Sequence, residues 1–135
     1  MPIRTELLHR LAAALIVAAT AHAQDVERFA GKWQAERNGK VYLVLTIAAG
    51  SPFQITLTTA DIHVDETGEI SEIRGKAEHE KRVLECRIED GRLLFRTEQS
   101  SGDIIRYELR VESDGTALLR LVNEPDWVKP FRLKR

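Results

Sequence analysis

The stretch from Ile105 to Val111 constrains this chain more than any other. Ile105, Tyr107, Leu109 and Val111 alternate there with Arg106, Glu108 and Arg110. A period of two places each set on its own face of an extended strand, one face apolar and the other in water. The pattern recurs almost everywhere after Gly31. Val41, Leu43, Leu45 and Ile47 share one parity, Phe53, Ile55 and Leu57 another, and Leu84, Cys86 and Ile88 alternate with Glu85, Arg87 and Glu89. No segment sustains a 3.6-residue period. Only residues 25–30, with Val26 and Phe29 on one side, suit a single helical turn.

Turn residues punctuate the alternation. Asn38-Gly39 separates two strand candidates, and Asp90-Gly91 and Asp114-Gly115 look like the same device, because both central positions of a type I′ turn require positive φ. Gly50-Ser51-Pro52 and the run 100–103 read as slightly longer connections. The spacing predicts strands near 32–37, 40–48, 53–59, 61–64, 69–74, 82–89, 92–98, 104–112, 116–122 and 127–134. The fold class is therefore all-β: an antiparallel meander of about 8–10 strands. Closure into a small barrel removes the two edges that an open meander leaves exposed. Residues 65–82 are very polar, with isolated Ile70 and Ile73, and read as a long exposed hairpin tip or a mobile flap.

The segment before the meander has a different character. Arg4 and Arg10 precede a ten-residue apolar run from Leu11 to Thr20, and Ala21-His22-Ala23 follows with small residues flanking a bulky one. That order predicts a cleavable signal peptide over 1–23, a signal helix removed before Gln24 or Asp25. The apolar run is about half of the roughly 20 residues a bilayer crossing needs. The expectation is export through a Sec-type pathway, to the periplasm or beyond, with no membrane anchor after cleavage. Residues 24–135 then form a single domain. With one cysteine, Cys86, that domain has no internal disulfide and rests on its hydrophobic core.

The formal net charge of the chain is −1. A nucleic-acid partner needs a basic face to displace counterions, so none is expected. Charges of both signs are interspersed with apolar residues, which argues against disorder.

Phe29-Ala30-Gly31-Lys32-Trp33 resembles the opening of calycin barrels, the lipocalin, fatty-acid-binding and avidin-like group. In that group a helical turn leads into Gly-x-Trp on the first strand, and a base on the last strand packs over the tryptophan. The resemblance implies barrel-closing roles for Gly31 and Trp33, with Arg132 or Arg135 as the base. Phe131 and Leu133 should face inward, so parity favours Arg135. The chain also looks like small exported bacterial proteins of lipocalin-like build. It departs from the fatty-acid-binding group, since Asn38-Gly39 leaves no room for a helical lid. It departs from the avidin pattern too, because Gln34 to Lys40 lacks the biotin-holding residues.

Candidate chemistry is sparse. Asp61, His63 and Asp65 alternate on one strand and could share a face, with Glu66 or His79 nearby. An ordinary solvated strand face explains them as well, and no metal or other cofactor is expected. Cys86, on the apolar parity, reads as a small buried hydrophobe. No serine sits in a nucleophile elbow and no glycine-rich loop opens a helix, so no catalytic residue is assigned and the chain is read as a non-enzyme. Tyr42, Val44, Leu94, Leu118 and Val122 carry the parity opposite to their strands' inward residues. They are expected as an outer apolar patch, either covered by Val26 and Phe29 or used in a homodimer or partner contact.

Two functions follow as expectations. One is an exported binding module of unknown specificity for a small apolar ligand at the mouth or interior of the barrel. The alternative is a protein-interaction or structural module, monomeric or homodimeric, that has no ligand cavity.

Overall fold

A computed structural model describes residues 26–50, 54–122 and 127–135 of the chain. The signal-peptide segment 1–23 and Phe53 lie outside the described residues. A helical turn at 26–29 leads into eight strands: β1 (Gly31–Arg37), β2 (Lys40–Ala48), β3 (Gln54–Val64), β4 (Ile70–Glu89), β5 (Arg92–Glu98), β6 (Ile104–Val111), β7 (Ala117–Leu121) and β8 (Phe131–Leu133). Each pairs antiparallel with the next, in the order β1 to β8. The sheet then curls until β1 meets β8. Gln34 and Lys134 exchange two backbone hydrogen bonds of 2.7 and 2.9 Å there, a single bridge that nearly closes the barrel.

The described strands number eight rather than nine or ten because two pairs of predicted strands are continuous. The described part of the expected strand 53–59 and the strand 61–64 both lie in β3, and the expected strands 69–74 (from Ile70) and 82–89 both lie in β4. The polar segment 65–82 is thus mostly strand, and its hairpin tip is confined to residues 65–69. The expected strand 127–134 shortens to Phe131–Leu133.

Turn chemistry separates into two kinds. Asn38-Gly39 and Asp90-Gly91 have both central residues at positive φ, as two-residue type I′ turns require. Asp114-Gly115 does not. Glu112 N donates to Thr116 O and Gly115 N to Glu112 O, a three-residue loop with one left-handed residue. The same pair of bonds recurs at 65–69 and 99–103. Sequence alone read the Asp-Gly dipeptide correctly as a hairpin and wrongly as a two-residue one.

Two β-bulges overturn two parity assignments. Ala35 pairs Leu43 while Glu36 pairs Val41, so Tyr42 is an extra residue in β2. Its side chain turns inward, 5% exposed, and its ring meets Phe131 edge-on with centroids 6.2 Å apart. It does not belong to an outer patch. On β4, Val83 pairs Thr97 while Glu85 pairs Arg96, which leaves Leu84 as the extra residue. Leu84 is 38% exposed, and Val83 rather than Leu84 packs against the core with Cys86 and Ile88. One inserted residue reverses the facing of its neighbours, as period-two geometry demands.

The core is one contiguous cluster. Trp33, Leu45, Leu57, Leu93, Leu109, Leu119 and Leu133 are fully buried within it. Val26 and Phe29 belong to the same cluster, so they do not cover an outer surface.

Candidate functional site

The meander gives the barrel two unlike ends. At one end lie the start of β1, the end of β8 and the helical turn. Trp33 is completely buried there, and its Nε1 donates to Phe29 O at 2.8 Å. The Arg135 guanidinium sits 4.2 Å from the Trp33 ring centroid and also donates to Arg28 O. Gly31 adopts φ +127°, a backbone that L side chains rarely take, and lies beside that arginine, where a Cβ would make only ordinary contact, 3.5 Å from Arg135 Nε. Arg132 points elsewhere, to Thr116 Oγ1 at 3.0 Å. This end is sealed.

The opposite end is open. β2–β3 pairing stops at Leu43 and Thr59, and β4–β5 pairing starts only at Arg82 and Glu98. Beyond those points β3 and β4 pair with each other alone, from Asp61–Arg74 to Val64–Ile70. Residues 75–78 fall in a register break between Thr59–His79 and Asp61–Arg74. This break lets the two-stranded extension leave the barrel wall. Its apolar residues Ile62, Val64, Ile70 and Ile73 pack back against the core.

Three contacts dock the extension. Lys129 N donates to Gly68 O at 3.0 Å, the Lys129 ammonium pairs with Glu69, and the Arg37 guanidinium donates to Ile70 O. Asp65 shapes the tip by accepting from Thr67 N, Thr67 Oγ1 and Glu69 N. The Thr67 hydroxyl first, then those amides and the nearby Lys129 charge, hold the Asp65 carboxyl below its ordinary pKa despite opposing desolvation. The tip expected as an exposed flap is therefore tied to residues 127–129 and to β1.

Between this extension and the ends of β5, β6, β7 and β8 lies a cavity of about 850 Å³, open to solvent. Leu43, Ile105, Tyr107, Leu121 and Phe131 form its apolar wall, Ile62 and Val64 line it from the extension, and Trp127, 51% exposed, stands at its lip. Tyr107 stacks on Phe95 with centroids 5.0 Å apart. Burial raises the Tyr107 phenol pKa, with the Thr97 hydroxyl beside it acting in the opposite direction. Thr59, His79, Lys81 and Gln99 add a polar wall together with the carboxylates of Asp61, Glu78, Glu80 and Glu98, and Lys81 Nζ lies 3.4 Å from Gln99 Oε1. Lys81 and its partners were not singled out by sequence, because its neighbours Glu78, Glu80 and Arg82 make the whole stretch look uniformly solvated.

The residues weighed for metal binding do not converge. His63 Nε2 lies 3.2 Å from Asp61 Oδ2, whereas Asp65 is spent on its own turn and His79 is on the cavity wall. Among the described residues no group of three or more His, Cys, Asp or Glu is placed to hold a metal ion. Cys86 is half-buried, and desolvation followed by the charge of Glu85 raises its thiol pKa, which disfavours the nucleophilic thiolate.

The outer face of β5–β7 carries a second polar constellation. Glu108, only 4% exposed, receives Arg120 Nη2 at 2.9 Å, Arg92 Nη1 at 3.1 Å and Arg110 Nη2 at 3.4 Å. Desolvation pushes its pKa up, but the three guanidinium groups, Arg120 foremost, bring the balance below the ordinary value. It is a structural clasp across three strands.

This geometry defines an all-β, nearly closed eight-strand meander barrel, consistent with a calycin-like architecture. No protein-family model matches the chain, and neither a curated protein nor a solved structure matches it significantly.

Proposed function

We propose that this protein is an exported, lipocalin-like binding module that holds a small, mostly apolar ligand in the open end of its barrel. The cavity of about 850 Å³ carries this reading, since small-molecule sites typically occupy about 300–1,000 Å³ with apolar walls and a few converging polar groups. An eight-strand barrel is just wide enough to fill with side chains. Here the sealed end is filled in that way, while departure of the β3–β4 extension leaves the other end hollow. The helical turn, Gly31, Trp33 and Arg135 support the calycin relation, and the 1–23 segment supports export followed by release in the periplasm or medium. No catalytic step is assigned to the site.

Titration with a neutral apolar dye, N-phenyl-1-naphthylamine, tests this reading. Saturable fluorescence enhancement is expected, and Ala60→Phe, which adds bulk to the cavity wall, should reduce it. A dye signal absent from the wild-type protein overturns the ligand reading.

The second reading, a protein-interaction module, draws on a shallow outer groove of about 320 Å³. Leu94 and the exposed Val122 lie in it beside Arg87, Arg96 and Arg106. A concentration-dependent dimer in light scattering, lost in Val122→Glu, would favour it.

A further inference from the structure

The geometry points to a homodimer in which the free edge of β4 pairs antiparallel with the same edge of a second copy, about a two-fold axis at Ala77. The inference is independent of the ligand reading, and it uses a different surface from the outer groove.

β4 is 20 residues long, but only part of it has a neighbour on each side. β3 pairs with one edge between Ile70 and Lys81, whereas β5 takes up the other edge only from Arg82 onward. Among the described residues no strand pairs with that second edge from Ser71 to Lys81. A bare edge offers its backbone donors and acceptors to any strand that fits. Residues 75–78 have no counterpart on β3, and extra residues of that kind bow a strand away from its neighbour. Ala77 lies within this bow.

Charge commonly blunts an exposed edge. Here the order of the charges favours one partner. Arg74 stands opposite the exposed Asp61 and Glu80 opposite Thr58, on the outer face of the sheet. Lys76 and Glu78 share their parity. All four side chains are exposed, whereas Ile73, Ala77 and Lys81, on the other parity, are half-buried.

In an isologous contact residue i meets j and j meets i. With Ala77 opposite its own copy, Arg74 meets Glu80 and Lys76 meets Glu78, and the two-fold axis repeats each pair. Every one of these contacts joins opposite charges. Sliding the second copy by two residues sets Lys76 against Lys76, or in the other direction Glu78 against Glu78. Like charges directly opposite destabilise a pair. A slip of one residue turns outer side chains to the inner face. On the inner parity Gly75 meets His79 and Ile73 meets Lys81, so no like charges are set together there. Arg74 already touches Glu72 on its own strand at 2.8 Å, but that pair is exposed, and a guanidinium has five donors to share. Glu78 to Lys81 also line the open cavity, so the joined strands continue the wall where β5 has departed.

Sedimentation of the purified protein tests the inference. Dimer is expected to grow with concentration and to weaken between about 0.01 and 1 M salt, as the screening length falls from about 30 to about 3 Å. Lys76→Glu and Glu78→Lys each set like charges opposite at both copies of one pair, and each alone should weaken the dimer about tenfold. The double variant restores opposite charges and should dimerise like wild type. An equimolar mixture of the two single variants should form a heterodimer. Circular dichroism verifies that each variant is folded. A wild-type protein that stays monomeric at low salt, single variants that dimerise normally, or a folded double variant that fails to dimerise overturns the edge pairing. A dimer lost in Val122→Glu overturns it as well, by moving the contact to the outer groove.

Discussion

Arg135 lies over the face of Trp33, with the guanidinium carbon 4.2 Å from the ring centroid. The same guanidinium donates to Arg28 O, so one side chain joins the end of the barrel to the helical turn and to the first strand. A cation–π contact contributes about 0.5–2 kcal/mol, and the hydrogen bond about 1 kcal/mol. Arg135→Ala should therefore lower unfolding stability in urea by about 1–2 kcal/mol. Arg132→Ala removes an exposed bond to Thr116 and a solvent-screened attraction to Asp114, and should stay within about 0.5 kcal/mol of wild type. Equal effects of the two would refute the assignment.

Gly68 is irreplaceable for two separate reasons. Its φ is +86°, and a Cβ there would lie 2.2 Å from the Trp127 carbonyl oxygen. Gly91, at φ +72°, has open space around it. Gly68→Ala should cost about 2–3 kcal/mol or release the tip from residues 127–129, while Gly91→Ala costs about 1 kcal/mol. Amide hydrogen exchange at Lys129, whose N–H is held by Gly68 O, distinguishes the outcomes. Protection there should fall in the first variant and persist in the second.

Glu108→Gln leaves Arg92, Arg110 and Arg120 facing one another without the carboxylate between them. Because Arg110 and Arg120 are more than half exposed, solvent softens the loss to about 1–3 kcal/mol. The folded-state pKa of Glu108 lies below its unfolded value. Its contribution is thus complete at neutral pH and disappears as pH falls through the depressed folded-state pKa. Urea midpoints measured from pH 7 down to pH 3 should show a shallower acid slope in Glu108→Gln than in wild type. An unchanged slope would remove the clasp from the account of acid stability.

Leu84 and Leu93 look alike in sequence, each on the apolar alternation of a strand. The bulge separates them: Leu84 is 38% exposed and Leu93 is completely buried. Leu93→Ala should cost about 2–5 kcal/mol and Leu84→Ala no more than about 0.5 kcal/mol by thermal or urea unfolding.

That pair also shows where local pattern stops being informative. Alternation and hairpin dipeptides sufficed for the all-β class, the meander order and most strand positions, because each depends on neighbours in the chain. Tyr42 and Leu84 were placed on the wrong faces, because a bulge is decided by registration with the partner strand and leaves no mark in its own segment. The cavity was hidden for the same reason. Lys81 stands opposite Leu57 because residues 75–78 are skipped in the pairing of β3 with β4, a register set by the partner strand. A run such as Glu78 to Arg82 carries no local sign of which member is turned inside.

The seam between β1 and β8 is one bridge, Gln34 with Lys134, drawn from opposite ends of the described chain. All other strand pairs join neighbours in sequence, so they can form early and progressively, whereas this one must wait until the curl is complete. Until then β1 and β8 are bare edges, able to recruit a second molecule in place of each other. The hazard of this barrel lies in the interval before it shuts.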